Sequence, residues 1–261
     1  MEKAPSAPNS LTAKVVVSLV ILYAAKTSYA IPMPFWKRDP EPKTYWQGKA
    51  VAELPAYAQP HEKGQGRRIT EIGEPVLHRR ASDVEADEFG TEQLFELIVD
   101  MFTTMDIAEG VGLAAPQIGV DKQVFVFDVP GDDGNYYAGY VINPQLETID
   151  AAGVTQSEGC LSVPGAHADL ERASSVTVTG VDQDGKPVKL TGTGYLARAF
   201  LHEFQHLQGT LYYDHLSEAE QARVLAQRNE ERPGVLALRR ARAAELGKRA
   251  VTYPDQPPKH P

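Results

Sequence analysis

Between residues 91 and 109, TEQLFELIVDMFTTMDIAE, apolar side chains recur at intervals of three and four: Leu94, Phe95, Ile98, Val99, Phe102 and Met105. That is the period of a helix with one buried face, and it predicts an amphipathic helix. The pattern then changes to that of strands. KQVFVFDV, YAGYVINPQLETI, SSVTVTGVD and PVKLTG are rich in β-branched and aromatic residues, and DDGN and QDGK between them read as hairpin turns. The helical period returns in TGYLARAFLHEFQHLQG, residues 193–209. Thr193 stands where an N-cap is expected, Leu196, Ala199, Phe200 and Leu207 form an apolar face, and Gly209 stands at the C-terminal stop. This second helix is expected to be buried. After it, SEAEQARVLAQRNEE reads as a polar helix whose charges are solvated. Alternation of strands and helices in this order predicts an α+β fold, with antiparallel β-sheets packed around the helix of residues 193–209.

Composition changes this picture mainly at the ends. Of 19 prolines in 261 residues, 8 lie in residues 1–60 and 4 in residues 254–261, so both ends are expected to be irregular. Residues 1–66 are read as an N-terminal extension, 67–216 as one catalytic domain, and 217–261 as a helical extension and tail. Within the first segment, Lys14, an apolar run from Val15 to Ala25 and the ending Ser28-Tyr29-Ala30 look like a secretory signal peptide. The run is short for a membrane span. A net charge of −9 argues against autonomous nucleic-acid binding. LALRRARAAELGKR near the C-terminus is a local basic surface that leaves ribosome association open, although a solvated helix face accounts for it more simply. The single cysteine excludes an intramolecular disulfide framework and leaves its thiol free.

Candidate chemistry begins with His202, Glu203 and His206 in LHEFQHL. With 7 histidines in 261 residues, an accidental HExxH is expected about 0.01 times per chain. On a helix the two imidazoles share one face, one turn apart. A pair of surface histidines is the plain alternative, and the apolar setting with Glu203 between them argues against it. A third ligand is then needed. In the pattern HExxHxxGxxH the last histidine position holds Tyr212, so that class of zinc peptidase fails here. Glu218, Glu220, Glu230 and Glu231 read as solvated charges. Cys160, among the turn residues of SEGCLSVPG, is the better candidate, because one thiolate and two imidazoles suit zinc or ferrous iron and leave a fourth position open. Taken alone, a lone cysteine would read as a small buried hydrophobe. The third signal is GVGLAAPQIG, residues 110–119, whose small residues permit close approach of a substrate backbone while Gln117 offers an amide N–H to a developing oxyanion. Its glycines do not have the spacing of a nucleotide loop.

G-x-G-x-A-A-x-Q, E-G-C-L-S and H-E-x-x-H in this order resemble the motifs of the peptide deformylases, and the resemblance covers residues 68–216. It implies metal ligands Cys160, His202 and His206, Glu203 as general base, and Gln117 with the backbone N–H of Leu161 as oxyanion donors. Gly112 and Val111 would border the bound peptide, and Tyr195, Arg198, Ala199 and His202 would line a methionine pocket, with the charge of Arg198 leaving towards water. The implied reaction is hydrolysis of the N-formyl group of newly made polypeptides, with formate released, using a water whose pKa falls from about 15.7 towards 7 on a divalent cation. Ferrous iron is the implied metal, with zinc or another divalent ion as a substitute. N-formylmethionyl peptides and nascent chains are the implied partners, in the cytoplasm. A secreted HExxH metallopeptidase, exported or membrane-associated, is the alternative raised by the signal-like segment. Many members carry other residues where this chain has Leu201, Gln205 and His167, which bears on how the ligands are oriented.

Overall fold

A computed structural model describes residues 42–58 and 64–259, so the apolar run 15–25 and the ending 28–30 lie outside the described residues. Helix α1 spans Glu92–Ile107 and opens on Thr91, whose hydroxyl accepts a hydrogen bond from the Leu94 N–H at 3.3 Å. Its apolar stripe, Leu94, Ile98, Phe102 and Met105, is buried against Leu113, Val126 and Tyr140 of the sheet.

Seven strands form that sheet among the described residues: β1 (Thr44–Trp46), β2 (Lys49–Val51), β3 (Gly112–Ala114), β4 (Val124–Pro130), β5 (Tyr136–Cys160), β6 (Val163–Val181) and β7 (Pro187–Thr193). The order is β2-β1-β5-β4-β3, with β6 on the later part of β5 and β7 on β6. All neighbours are antiparallel except β1 and β5. The β4–β5 and β6–β7 turns fall where DDGN and QDGK predict them. Register shifts in β5 at Ile142/Gln145, Thr148/Asp150, Asp150/Gly153 and Gly159/Cys160 let its start pair with β4 and its remainder with β6.

Helix α2, Gly194–Leu207, follows β7 directly. Leu196, Phe200 and Leu207 pack with Phe125, Phe127, Val176 and Val178, and the rings of Phe127 and Phe200 meet edge to face at 5.0 Å. Just past the helix, Gly209 has φ +80°, and a Cβ there would stand 2.4 Å from the Arg79 carbonyl carbon. Only glycine meets both conditions.

Two expectations about the ends are corrected. Residues 44–58 are not irregular: β1 pairs with Tyr136–Ala138, and Trp46 packs among the rings of Tyr57, Phe102 and Tyr140. Only one of the eight prolines of residues 1–60, Pro55, falls in this stretch. Helix α3, Glu218–Glu245, opens on a reciprocal cap between Ser217 and Glu220 and packs on β6. Glu218, Glu230 and Glu231 are exposed as expected, but Arg228, Arg232 and Arg239 are buried, so the arginines are not a solvated face. Arg232 and Arg239 find partners in distant parts of the chain. Arg232 grips the fully buried Glu71 at 2.7 and 2.9 Å and donates to the Pro254 carbonyl at 2.7 Å. Residues 246–259 hold no helix or strand, yet Tyr253 is buried against Ile69 and Leu236. Among the described residues no helix is long and apolar enough to cross a membrane.

Candidate active site

Helix α2 carries His202 and His206 on one face with their rings 5.0 Å apart. Cys160 does not lie in a loop, as the residues around it suggested. It is the last residue of β5 and pairs with Val163 across Leu161 and Ser162, because the turn is only these two residues long and Pro164 and Gly165 already belong to β6. The ligand atoms of Cys160, His202 and His206 all lie within 4.8 Å of one another, and Cys160 Sγ is 3.1 Å from His206 Nε2. One cation can bridge such a group. The surroundings fit it: the Ser162 N–H and the Gln117 amide point at Sγ from 3.4 and 3.6 Å, two donors that would support a ligating sulfur.

Glu203, between the two histidines, is buried, and its Oε2 has no hydrogen-bond partner among the described residues. Burial is the main cause that pushes its carboxyl up to about 7. Gly112 of β3 lies against it so closely that a Cβ at 112 would be 2.4 Å from Glu203 Oε1. Thus the glycine of GVGLAAPQ leaves room for the carboxylate as well as for a ligand. Gln117 is fixed from the other side: its Oε1 accepts the Ala114 N–H at 2.8 Å, which turns Nε2 towards Cys160 and the Ser162 hydroxyl.

Glu158 organises the far side of His202. Its carboxylate receives Arg172 in a two-pronged contact at 2.8 and 2.8 Å, Arg198 Nη1 at 2.5 Å, and faces His202 Nδ1 at 3.1 Å. Burial opposes its charge, but the bonds from Arg172 and His202 hold the carboxyl well below the usual range. With Nδ1 so engaged, His202 keeps Nε2 for the ligand cluster. Sequence reasoning missed this hub. Register is the signal that finds it: Glu158 stands opposite Ala168, and Arg172 lies four residues beyond, on the same strand face. His167 is not one of the groups on Glu158. Its ring lies over Gly159, and its N–H donates to Gln227 at 3.4 Å. Gln205 meets His215 at 2.8 Å, and Leu201 packs at the edge of the α2 core.

A cavity of about 550 Å³ opens on the cluster. It brings together the residues expected at the site: Cys160, His202 and Glu203, Gln117 and Leu161, and Val111, Gly112, Tyr195 and Ala199. His206 stands behind this lining, the most deeply buried of the three. Arg198 corrects its expectation. Instead of sending its charge to water it is 4% exposed, bonded to Gln156, Glu158 and the carbonyls of Val154 and Leu170. Four acceptors inside the protein replace hydration. Helix α3 also lines the cavity, through Gln227, Glu231, Val235 and Leu238.

Residues 66–222 match the family model described as polypeptide deformylase. Peptide deformylase 1 of Streptomyces avermitilis is 48% identical over 175 residues, which cover 66% of this chain and 80% of that protein. Peptide deformylase 2 of Corynebacterium efficiens is 46% identical over 156 residues, 58% of this chain and 79% of its own length. Among solved structures, the peptide deformylase of Legionella pneumophila is similar, with TM-score 0.58 and 38% identity over 64% of this chain and 96% of that one. A Met-Ala-Ser-bound class I type b peptide deformylase from Acinetobacter baumannii gives TM-score 0.55 and 30% identity, over 59% of this chain and 100% of its own. The chain belongs to the peptide deformylase family.

Proposed function

We propose that this chain hydrolyses the N-formyl group from the N-terminal methionine of newly made polypeptides, releasing formate. The observation that carries this reading is the convergence of Cys160, His202 and His206 within 4.8 Å beside the buried Glu203, in a member of this family. Cys160, His202 and His206 would hold one divalent cation. Such an ion supplies Lewis acidity and makes a water nucleophilic at neutral pH. Ferrous iron is the metal we assign, from the family resemblance, with zinc as a working substitute.

The remaining roles fall to the chain itself. Glu203 takes the proton of the attacking water and returns it to the departing amine, a task suited to a carboxyl pushed up to about 7. Gln117 Nε2 and the Leu161 N–H donate to the oxygen that gains negative charge as the formyl carbon becomes tetrahedral. Collapse of that centre breaks the C–N bond and yields formate and a free amino terminus. Gly112 and Val111 bind the peptide backbone along β3. Tyr195 and Ala199 line the methionine pocket, and the bonded side chain of Arg198 stands at its α2 wall.

The peptide bound in the Acinetobacter baumannii protein begins with methionine, which accords with this assignment of the pocket. The comparisons carry the deformylase reading and give no support to a secreted peptidase. For ribosome association, the basic surface near the C-terminus is smaller than the sequence suggests: Arg239 is buried and Arg242 pairs with Asp106 and Glu245, which leaves Arg240, Lys248 and Arg249. Product analysis tests the proposal. Formyl-Met-Ala-Ser incubated with the protein should give formate and intact Met-Ala-Ser; cleavage between Met and Ala would favour a peptidase instead.

A further inference from the structure

Leu161 and Ser162 join the ligand Cys160 to β6, and both of their carbonyls are tied down from outside the hairpin. Arg239 of α3 donates from Nη2 to the Leu161 carbonyl at 2.9 Å. The peptide unit that it grips is the one whose N–H, that of Ser162, points at Cys160 Sγ. A charged donor on the carbonyl polarises this unit and strengthens the N–H at its other end. The Ser162 carbonyl accepts the Ile72 N–H at 2.9 Å, and the neighbouring Glu71 is locked by Arg232 of the same helix.

Arg239 itself is placed by the C-terminal tail. Its Nη1 donates to the Tyr253 hydroxyl at 3.4 Å, its guanidinium lies 5.9 Å over that ring, and the same hydroxyl accepts the Ile69 N–H at 3.3 Å. Arg232 has a carboxylate partner, whereas Arg239 is only 5% exposed and makes no ion pair among the described residues. A buried arginine without a carboxylate is costly compared with an apolar side chain of the same size. What it holds in exchange is the turn that carries the thiolate ligand and the oxyanion donor.

We infer that Arg239 is a positioning residue for the Cys160–Ser162 turn, and that the C-terminal helix, most of which lies beyond the residues matched by the family model, is a working part of the site. The inference rests on the deformylase reading for its catalytic part, but its effect on the ligand turn is measurable without the reaction.

The test compares full-length wild type with Arg239→Met, Arg239→Lys and the exposed neighbour Arg240→Gln. Zinc affinity is read by competition with a chromophoric chelator, alongside formate release from formyl-Met-Ala-Ser. Arg239→Met should weaken zinc binding and lower kcat by about tenfold each, the low end for residues that orient metal ligands, with KM within about twofold. Arg239→Lys, which keeps a charged donor, should recover most of both losses, and Arg240→Gln should match wild type. If the Met variant does not fold, Arg239→Gln serves with the same expectations. Wild-type zinc affinity and kcat in the neutral variant would overturn the inference, as would failure of lysine to recover any of the loss. Weakened zinc binding in a protein that releases no formate would support the placement of Arg239 while removing the deformylase reading.

Discussion

Helices α2 and α3 both line one cavity, yet they are built on opposite rules. Over 14 residues α2 buries an apolar face and exchanges its few charges for direct chemistry: two histidines, a carboxylate, and an arginine bonded to Glu158. By contrast, α3 is 28 residues long, mostly polar, and contributes to the interior chiefly through arginines. The first helix supplies groups that would touch the reacting atoms. The second holds the backbone that those groups need, through Arg232 on Glu71 and Arg239 on Leu161. Chemistry and its support thus sit on separate elements, and substitutions on the two should fail in different ways.

On α2 the largest effect is expected from Glu203→Gln. Turnover should fall by roughly 10²–10⁴-fold while metal content stays at the wild-type level, because Glu203 moves protons and is not a ligand. Metal analysis with formate release checks this; loss of metal would place Glu203 among the ligands. Cys160→Ala, in contrast, should lose metal and activity together. On α3, Arg232→Met leaves Glu71 buried without its partner and should cost about 3–5 kcal/mol in urea unfolding, and adding Glu71→Leu should restore much of it. A cost below about 1 kcal/mol would show that the pair is incidental. Arg198→Leu tests the border between the two rules. Arg172 still holds Glu158 in that variant, so kcat/KM should fall by only about tenfold. The smallest change in activity is expected from a chain that starts at Gly66. It should retain turnover but lose about 1–3 kcal/mol of stability with the aromatic cluster of Trp46. A melting experiment separates this outcome from loss of function.

The same contrast explains what could be read in advance. The spacing of His202, Glu203 and His206 carries its meaning within one helical turn, and so do the hairpins at DDGN and QDGK. Local period and turn chemistry suffice for such features. That Cys160 belongs with His202 and His206 was legible from its uniqueness and from the family motif, although its place at a strand end was not, because the bulge at Gly159/Cys160 depends on pairing with β6. Arginines were the consistent failure. Arg198, Arg232 and Arg239 carry charges that suggest water, and what draws them inside are partners 40, 161 and 78 positions away. A charge pattern along one helix contains no trace of such partners. Glu158 was overlooked for a related reason, since its value lies in the face it shares with Arg172 across a hairpin.

Release of formate from formyl-Met-Ala-Ser and of acetate from acetyl-Met-Ala-Ser, compared as amide cleavage at matched concentration, tests the assignment most directly. A site closed by Gly112, Gln117 and Glu203 around the ligand cluster should accept the formyl group and exclude the extra methyl, so the formyl peptide should react far faster. It should also react faster than formyl peptides that begin with Asp or Glu, for which Tyr195 and Ala199 offer no cation and Arg198 is already bonded. Equal rates on the formyl and acetyl peptides would contradict the account and return the chain to metal-dependent amide hydrolysis of broader scope.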